Sequence, residues 1–506
     1  AVIGVEGFLV DVEATRTSGP PGLHLYGLPE RSISEVRDRV RAAIHNSGFP
    51  WQHRHLTVGL LPASLPKHGS GYDLAIAVAL LSAQHVLPEA ASHNIVFVAE
   101  LGLDGALRPV TGLLPAAQAA AAAGYSTIVV APANLAEASA VPGINAVAAG
   151  NLTDVVAWLR GRPSPQIAPT TVGPVPPNPE RGAPPGSWPD LADLPNLPDL
   201  HQALEVSAAG GHHLLLIGRH RVASAGRALL PLLPDLTAAA SLEVSAIHSA
   251  AGLVDPAAPL ITRPPYRNPA PTASRAQLCG TLGRTGRPGE MALAHRGVLQ
   301  LDNAPEFAAG SLDALRGPLE EGQVQVERAG HVACYPARFT LLITMAPCPC
   351  GAARDADCHC EPAPRSFYLG RLGAPVLNRI DIKVRLPDPP STDILHPQVA
   401  SITTGGITAA AVAERVATAR ARTSHRLADT PWTTNAEIPA PELRRQFRLP
   451  DEATAPLRAV VRSGVLSVRA AAHVARLAWT LADLAGHDGP TAADVTGACK
   501  LHRPVQ

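Results

Sequence analysis

Apolar and polar positions follow two rhythms over the first 160 residues. Runs at 7–13, 55–61, 94–100 and 127–131 are short and apolar or alternating, as strands are. Stretches 30–47, 72–84 and 113–124 instead repeat apolar residues every three or four positions, as helices do. Residues 1–160 therefore read as an α/β or α+β unit. Residues 161–189 break the pattern: ten prolines with Gly, Ser and Thr between them favour extended, weakly packed backbone, which predicts a linker. Beyond it, 204–209 leads into an apolar run at 213–218, and strand patterns recur at 297–302 and 340–345. That is the rhythm of a parallel-sheet α/β domain over 190–397. From 398 to 506 the pattern is helical, at 407–427, 441–447, 452–464 and 467–485.

A chain of 506 residues has room for these three units, at roughly 100 to 200 residues per domain. Lys+Arg 42 against Asp+Glu 42 excludes an overall basic footprint for nucleic acid or an anionic membrane and leaves only local patches. The longest apolar stretches, 74–83 and 113–124, fall short of the ~20 residues of a membrane span. The chain opens at Ala1 with neither Met nor a basic-then-apolar leader, so it reads as a trimmed cytoplasmic sequence with no membrane partner.

Four of the seven cysteines fall in Cys348-Pro-Cys350 and Cys358-His-Cys360. Two Cys-x-Cys pairs separated by seven residues can converge on one tetrahedral Zn²⁺ through four thiolates, and with no open position that zinc would be structural. His359 is a bystander or a substitute ligand, and four thiols without metal are the alternative. Cys279, Cys334 and Cys499 read as small buried residues.

The apolar run at 211–218 ends in Gly218, where a phosphate-binding loop is expected. Such a loop needs glycines so that backbone N–H groups wrap phosphate, a Lys for the β/γ-phosphates and a Ser/Thr hydroxyl for Mg²⁺. Here Arg219-His-Arg-Val-Ala-Ser-Ala-Gly226 puts Ser224 at the lysine position and Ala225 at the hydroxyl position. Arg219, Arg221 and Arg227 could supply replacement charge, or form a solvated basic loop.

The flanks resemble the Mg-chelatase-like AAA+ ATPase family of the ComM and YifB type, over almost the whole chain. The blocks that carry the resemblance are Pro20-Pro-Gly-Leu-His-Leu-Tyr-Gly-Leu-Pro29, Arg287-Pro-Gly-Glu290, Ala294-His-Arg-Gly-Val-Leu299, Pro347-Cys-Pro-Cys-Gly351, Asn378-Arg-Ile-Asp381 and Leu481-Ala-Asp-Leu-Ala-Gly486. It implies a Lon-protease-like N-terminal domain (1–160), a P-loop AAA+ α/β core (190–397) with a zinc-binding insertion at 346–362, and an all-helical lid (398–506). It also implies ATP and Mg²⁺ as ligands.

Several ATPase elements depart from the family pattern. Asp302 matches the Mg²⁺-holding acid, but Asn303 stands where the family has the glutamate that activates water, and an amide cannot take that proton. Ala346 stands at the polar sensor. Arg379 matches the trans-acting arginine finger, with Asn378 in place of the acidic residue before it, and Arg469 matches the second sensor arginine. Packing or surface arginines remain the alternative for both. In the Lon-like domain the nucleophile position falls on Gly71 and the dyad lysine on Leu114; Ser70 is one residue out, with Lys67 near it in sequence, and proteolysis is not expected. His212 and His213 are expected to pack or hydrogen-bond locally.

These departures suggest a non-hydrolysing subunit. By resemblance its partners are branched or single-stranded DNA and further subunits, as a homo-oligomeric ring or with an active relative. A weak ATP-dependent DNA translocase is the alternative, and a magnesium chelatase subunit a disfavoured third.

Overall fold

The computed structural model describes residues 1–51, 54–163, 190–191, 194, 197–218, 224–282, 286–328, 331–350, 352, 357–387, 408–467 and 470–502. Most of the expected linker, and the start of the helical C-terminal unit, lie outside them.

The N-terminal unit is built on two three-stranded sheets. In the first, β1 (Asp11–Thr17), β2 (Gly22–Tyr26) and β3 (His55–Leu61) run in the order β1-β3-β2, with β1 antiparallel and β2 parallel to β3. In the second, β4 (Ile95–Val98), β5 (Thr127–Val130) and β6 (Asn145–Ala148) are parallel in the order β6-β5-β4. Helix α1 (Glu30–Asn46) buries Val36, Val40, Ala43 and Ile44, a stripe at helical spacing. Helix α2 (Asp73–Ala83) packs against strands of both sheets. Helix α3 (Leu113–Ala122) follows. The strand expected at 7–13 starts four residues later. Residues 2–7 are consumed by a small hairpin, Val2–Ile3 against Glu6–Gly7, and only from Asp11 do Val12 and Ala14 alternate inward.

In the core, α4 (Pro198–Gly210) leads into β7 (Leu214–Ile217), followed by α5 (Ala225–Leu229) and α6 (Ala238–Ala250). Strands β8 (Tyr266–Arg267), β9 (Val298–Leu301), β10 (Thr340–Met345) and β11 (Ile382–Arg385) join β7 in one parallel sheet of order β8-β9-β10-β7-β11. β7 and β9 are buried along their whole length, so β7 reads as a continuous apolar run and β9 does so but for Gln300. A hairpin, Gln323–Arg328 with His331–Pro336, projects between β9 and β10 and was not legible as strands. In the C-terminal unit α7 (Ala409–Arg426), α8 (Ala470–Ala485) and α9 (Ala492–Leu501) are the main helices. α9 lies beyond the helices expected from periodicity, although its Thr491 and Asp494 form a capping box.

Two polar joints tie the units together. At the first, Glu137 is buried and accepts hydrogen bonds from Leu114 N–H (3.1 Å), Asn134 Nδ2 (3.1 Å) and the Ser249 hydroxyl of α6. Leu113, Leu114, Ile128, Val130 and Ala246 pack around it as one apolar cluster. At the second, Asp381 at the foot of β11 receives His212 Nδ1 at 2.9 Å and His473 Nδ1 of α8 at 2.5 Å. His212 Nε2 reaches Thr480 Oγ1 at 2.7 Å, and His502 Nδ1 donates to the Asp381 carbonyl at 2.6 Å. His212 is thus no local packing residue but the bridge from the core to α8; His213 stays within the core sheet, its Nδ1 accepting from Leu341 N–H at 3.0 Å. Burial alone would raise Asp381, but the hydrogen bonds from His212 and His473 outweigh it and hold the carboxyl well below its usual range.

Burial pushes the imidazoles of His213 and His502 down to about 4, so the folded protein keeps them neutral. The unfolded chain takes up those protons near pH 6.5, so their stability is present above that pH and is lost as pH falls toward 4. Linkage at pH 5 removes about 2 kcal/mol per imidazole. Urea unfolding followed by tryptophan fluorescence should therefore give a stability about 2 to 4 kcal/mol lower at pH 5 than at pH 7.5. Equal stabilities would show that neither ring is held neutral.

Candidate nucleotide site and cysteine cluster

The carboxyl ends of β7, β10 and β9 meet where the strand order reverses, the place where open α/β sheets bind ligands. Gly218 ends β7 and donates its N–H to Met345 O at 3.0 Å. Ser224 and Ala225 open the five-residue helix α5, with Ala225 fully buried. Asp302 follows β9, and Ala346 follows β10. The structure thus brings Gly218, Ser224, Ala225, Asp302, Asn303 and Ala346 to the ends of three neighbouring strands. Arg219, Arg221 and Arg469 lie outside the described residues.

What the sequence reading missed is a polar chain across this mouth. The Thr344 hydroxyl of β10 donates to Asp302 Oδ1, and Gln300 Nε2 approaches the same oxygen at 3.4 Å. Tyr266 Oη in turn donates to Gln300 Oε1 at 2.8 Å, and Arg227 and Asn268 hydrogen-bond the Tyr266 phenol. Gln300 is fully buried, and a Cβ on Gly226 would stand only 1.9 Å from its Oε1, so the carboxamide is packed onto the backbone of α5. A metal that bound Asp302 through Oδ1 would share that oxygen with protein donors. The signal was available: Gln300 is the one polar residue inside the buried run 298–301, and a buried amide needs partners. Asn303 sits at φ +50°, in the left-handed region that Asn tolerates better than Glu. The Ala346 backbone hydrogen-bonds the Tyr368 phenol, and its methyl offers nothing to a phosphate. Arg379 is half-exposed and pairs with Glu320 Oε1 at 2.5 Å.

The four cysteines converge. Their Sγ atoms all lie within 4.8 Å of one another, with Cys348–Cys350 at 3.1 Å, Cys348–Cys358 at 3.3 Å and Cys350–Cys358 at 3.6 Å. A tetrahedron with Zn–S of ~2.3 Å has edges of about 3.8 Å, so four thiolates here fit one ion with small shifts. The Cys348 thiol and the Ala352 N–H draw Cys350 down to about 6, which favours a thiolate there, whereas the hydrogen bond to Cys350 pushes Cys360 up to about 12. A cation would remove that competition. His359 is exposed and stands apart from the cluster. The cluster begins three residues past β10, and Cys348 is buried. It could hold a metal ion.

In the N-terminal unit the Ser70 hydroxyl donates to Glu100 Oε2, while Lys67 Nζ, buried, donates to Pro62 O at 2.5 Å and Leu65 O at 3.1 Å. Leu114 is fully buried in the joint with α6 and can activate nothing. A fluorophosphonate serine probe should leave Ser70 unlabelled. Labelling read by peptide mass spectrometry would mean that Glu100 serves as its base.

Family models match three successive stretches: subunit ChlI of Mg-chelatase over residues 12–134, magnesium chelatase, subunit ChlI over 190–394, and its C-terminal region over 406–502. An uncharacterized protein of Mycobacterium tuberculosis is 43% identical over 99% of this chain and 97% of its own length. YifB of Escherichia coli is 37% identical over 96% of this chain and 92% of its own, and competence protein ComM of Haemophilus influenzae 35% over 100% and 97%. With relatives of this similarity spanning nearly its full length, the chain belongs to the Mg-chelatase-like AAA+ family of the YifB and ComM type.

Proposed function

We propose that this protein is a non-hydrolysing, structural or regulatory member of its family, acting in DNA recombination or processing as a ring of identical subunits or beside an active relative. The observation that carries the reading is the Asp302 carboxylate, whose Oδ1 is taken by Thr344 and Gln300 in a site where Ser224, Ala225, Asn303 and Ala346 offer no lysine, metal hydroxyl, base or sensor. Hydrolysis of ATP needs all of these groups placed around Mg²⁺. In this reading 1–160 is an inactive Lon-like domain, 190–397 a core kept for assembly, with Arg379 facing a neighbouring subunit, and 398–506 its lid. Cys348, Cys350, Cys358 and Cys360 hold a structural zinc whose chemistry is to cross-link the segment after β10. The link to DNA rests on the competence relative. Phosphate release from Mg·ATP, measured with and without branched DNA, tests the reading; sustained turnover replaces it with a translocase.

A further inference from the structure

The N-terminal unit leaves two sheet edges open on one cleft. β1 is the free edge of its sheet and β4 the free edge of the other, and among the described residues neither has a second strand partner. Both line a single cleft of about 1540 Å³, with α2 between them supplying Ala75, Ala79 and Ser82 as a floor of small side chains. The Ser82 hydroxyl has no hydrogen-bond partner among the described residues. The far wall is the core hairpin with Arg328, His331 and Tyr335. Ile95, Val96, Phe97 and Val98 are all only half-buried, an unusual state for four consecutive apolar residues of a strand.

We infer that this cleft binds an extended, basic polypeptide segment that adds as a strand between β1 and β4. An edge strand presents a row of unpaired N–H and C=O groups, and strand addition satisfies them irrespective of sequence. One inserted strand flanked by both edges would join the two three-stranded sheets through a shared seventh. Charge selects the segment. Asp11 and Glu13 lie two residues apart on one side of β1, exposed and without an ion pair among the described residues, and Glu100 stands at the end of β4. Against these three carboxylates the cleft sets Arg328, already donating to Leu282 O at 3.0 Å, the α-amino group of Ala1, which burial draws down to about 6, and three histidines, His68, His93 and His331. Burial and the neighbouring His331 push His68 down, which disfavours its charged form. The same carboxylates repel a second acidic edge, which keeps two copies from pairing here. The inference does not rest on the nucleotide site.

The test uses the full-length protein and a fluorescein-labelled ten-residue peptide alternating lysine and valine, followed by fluorescence anisotropy. Saturable binding is expected. The same peptide N-methylated on alternate residues, which removes strand donors and keeps the charge, should bind at least about tenfold more weakly. So should a glutamate-valine peptide. The double variant Asp11→Lys, Glu13→Lys, at two exposed positions and checked for native circular dichroism, should lose about tenfold in affinity for the basic peptide. No binding by the wild type, equal binding of the N-methylated or acidic peptide, or unchanged affinity in the double variant would each overturn the proposal.

Discussion

Incubated with Mg·ATP, the purified protein should release phosphate at least about ten-thousandfold more slowly than an ordinary enzyme working near 10 per second, with or without branched DNA. The magnitude follows from the site. Lysine, metal hydroxyl and catalytic base are each worth about 2 to 4 kcal/mol of transition-state stabilisation, and all three positions carry residues unable to do the work. The polar chain from Arg227 through Tyr266 and Gln300 to Asp302 adds a further constraint, since Oδ1, one of the two oxygens Asp302 could offer Mg²⁺, is already held by Thr344 and Gln300. Restoration gives the sharper result. Ala223→Gly, Ser224→Lys, Ala225→Thr and Asn303→Glu together should recover nucleotide binding, measured by calorimetry, and adding Gln300→Leu should strengthen it by removing one of the two donors on Asp302 Oδ1. The glutamate carries a cost of about 1 kcal/mol, because position 303 is left-handed. Turnover near ~1 per second by the unaltered protein would end the non-hydrolysing reading.

Protein purified without chelator should carry one zinc per chain by elemental analysis, and Cys350→Ser should lose it. Cys350 is exposed, so the serine itself creates no cavity, and any loss of stability reports the metal. Structural zinc is worth about 10 kcal/mol or more in small domains, where it replaces a core. Here it would fix a short segment between β10 and the helix Pro362–Gly370, so the expected fall in Tm is about 5 °C or more, reproduced by chelator on the wild type. Substoichiometric metal, together with a variant that melts like the wild type, would leave the cluster as four thiols.

How far the chain could be read in advance depended on where each residue's partners lie. β7, β9 and β10 announced themselves because strands covered on both faces are largely apolar, with only Gln300, Thr340 and Thr344 polar among them, and the cysteines did so because their spacing is local. The hairpin at 323–336 did not, since Gln323, Gln325 and Glu327 alternate with only two valines and its pairing is set by the neighbouring sheet. Asp302 was legible as an acid at a strand end, but its two donors were not: Thr344 comes from another strand, and Gln300 reaches it only because Gly226 leaves room. His212 looked local for the same reason; Asp381 and Thr480, its partners, are 169 and 268 residues away.

Glu137, buried where the N-terminal unit meets α6, carries a consequence for taking this protein apart. Its hydrogen-bond partner Ser249 belongs to the core, and so does Ala246, which completes an apolar cluster with Leu113, Leu114, Ala117, Ile128, Val130, Ala138 and Val141. Cutting between 163 and 190 would divide that cluster, leaving one fragment with a desolvated carboxylate missing its hydroxyl and the other with a bare face of α6. A cut there, where the sequence reads as a linker, is therefore expected to cost both fragments stability.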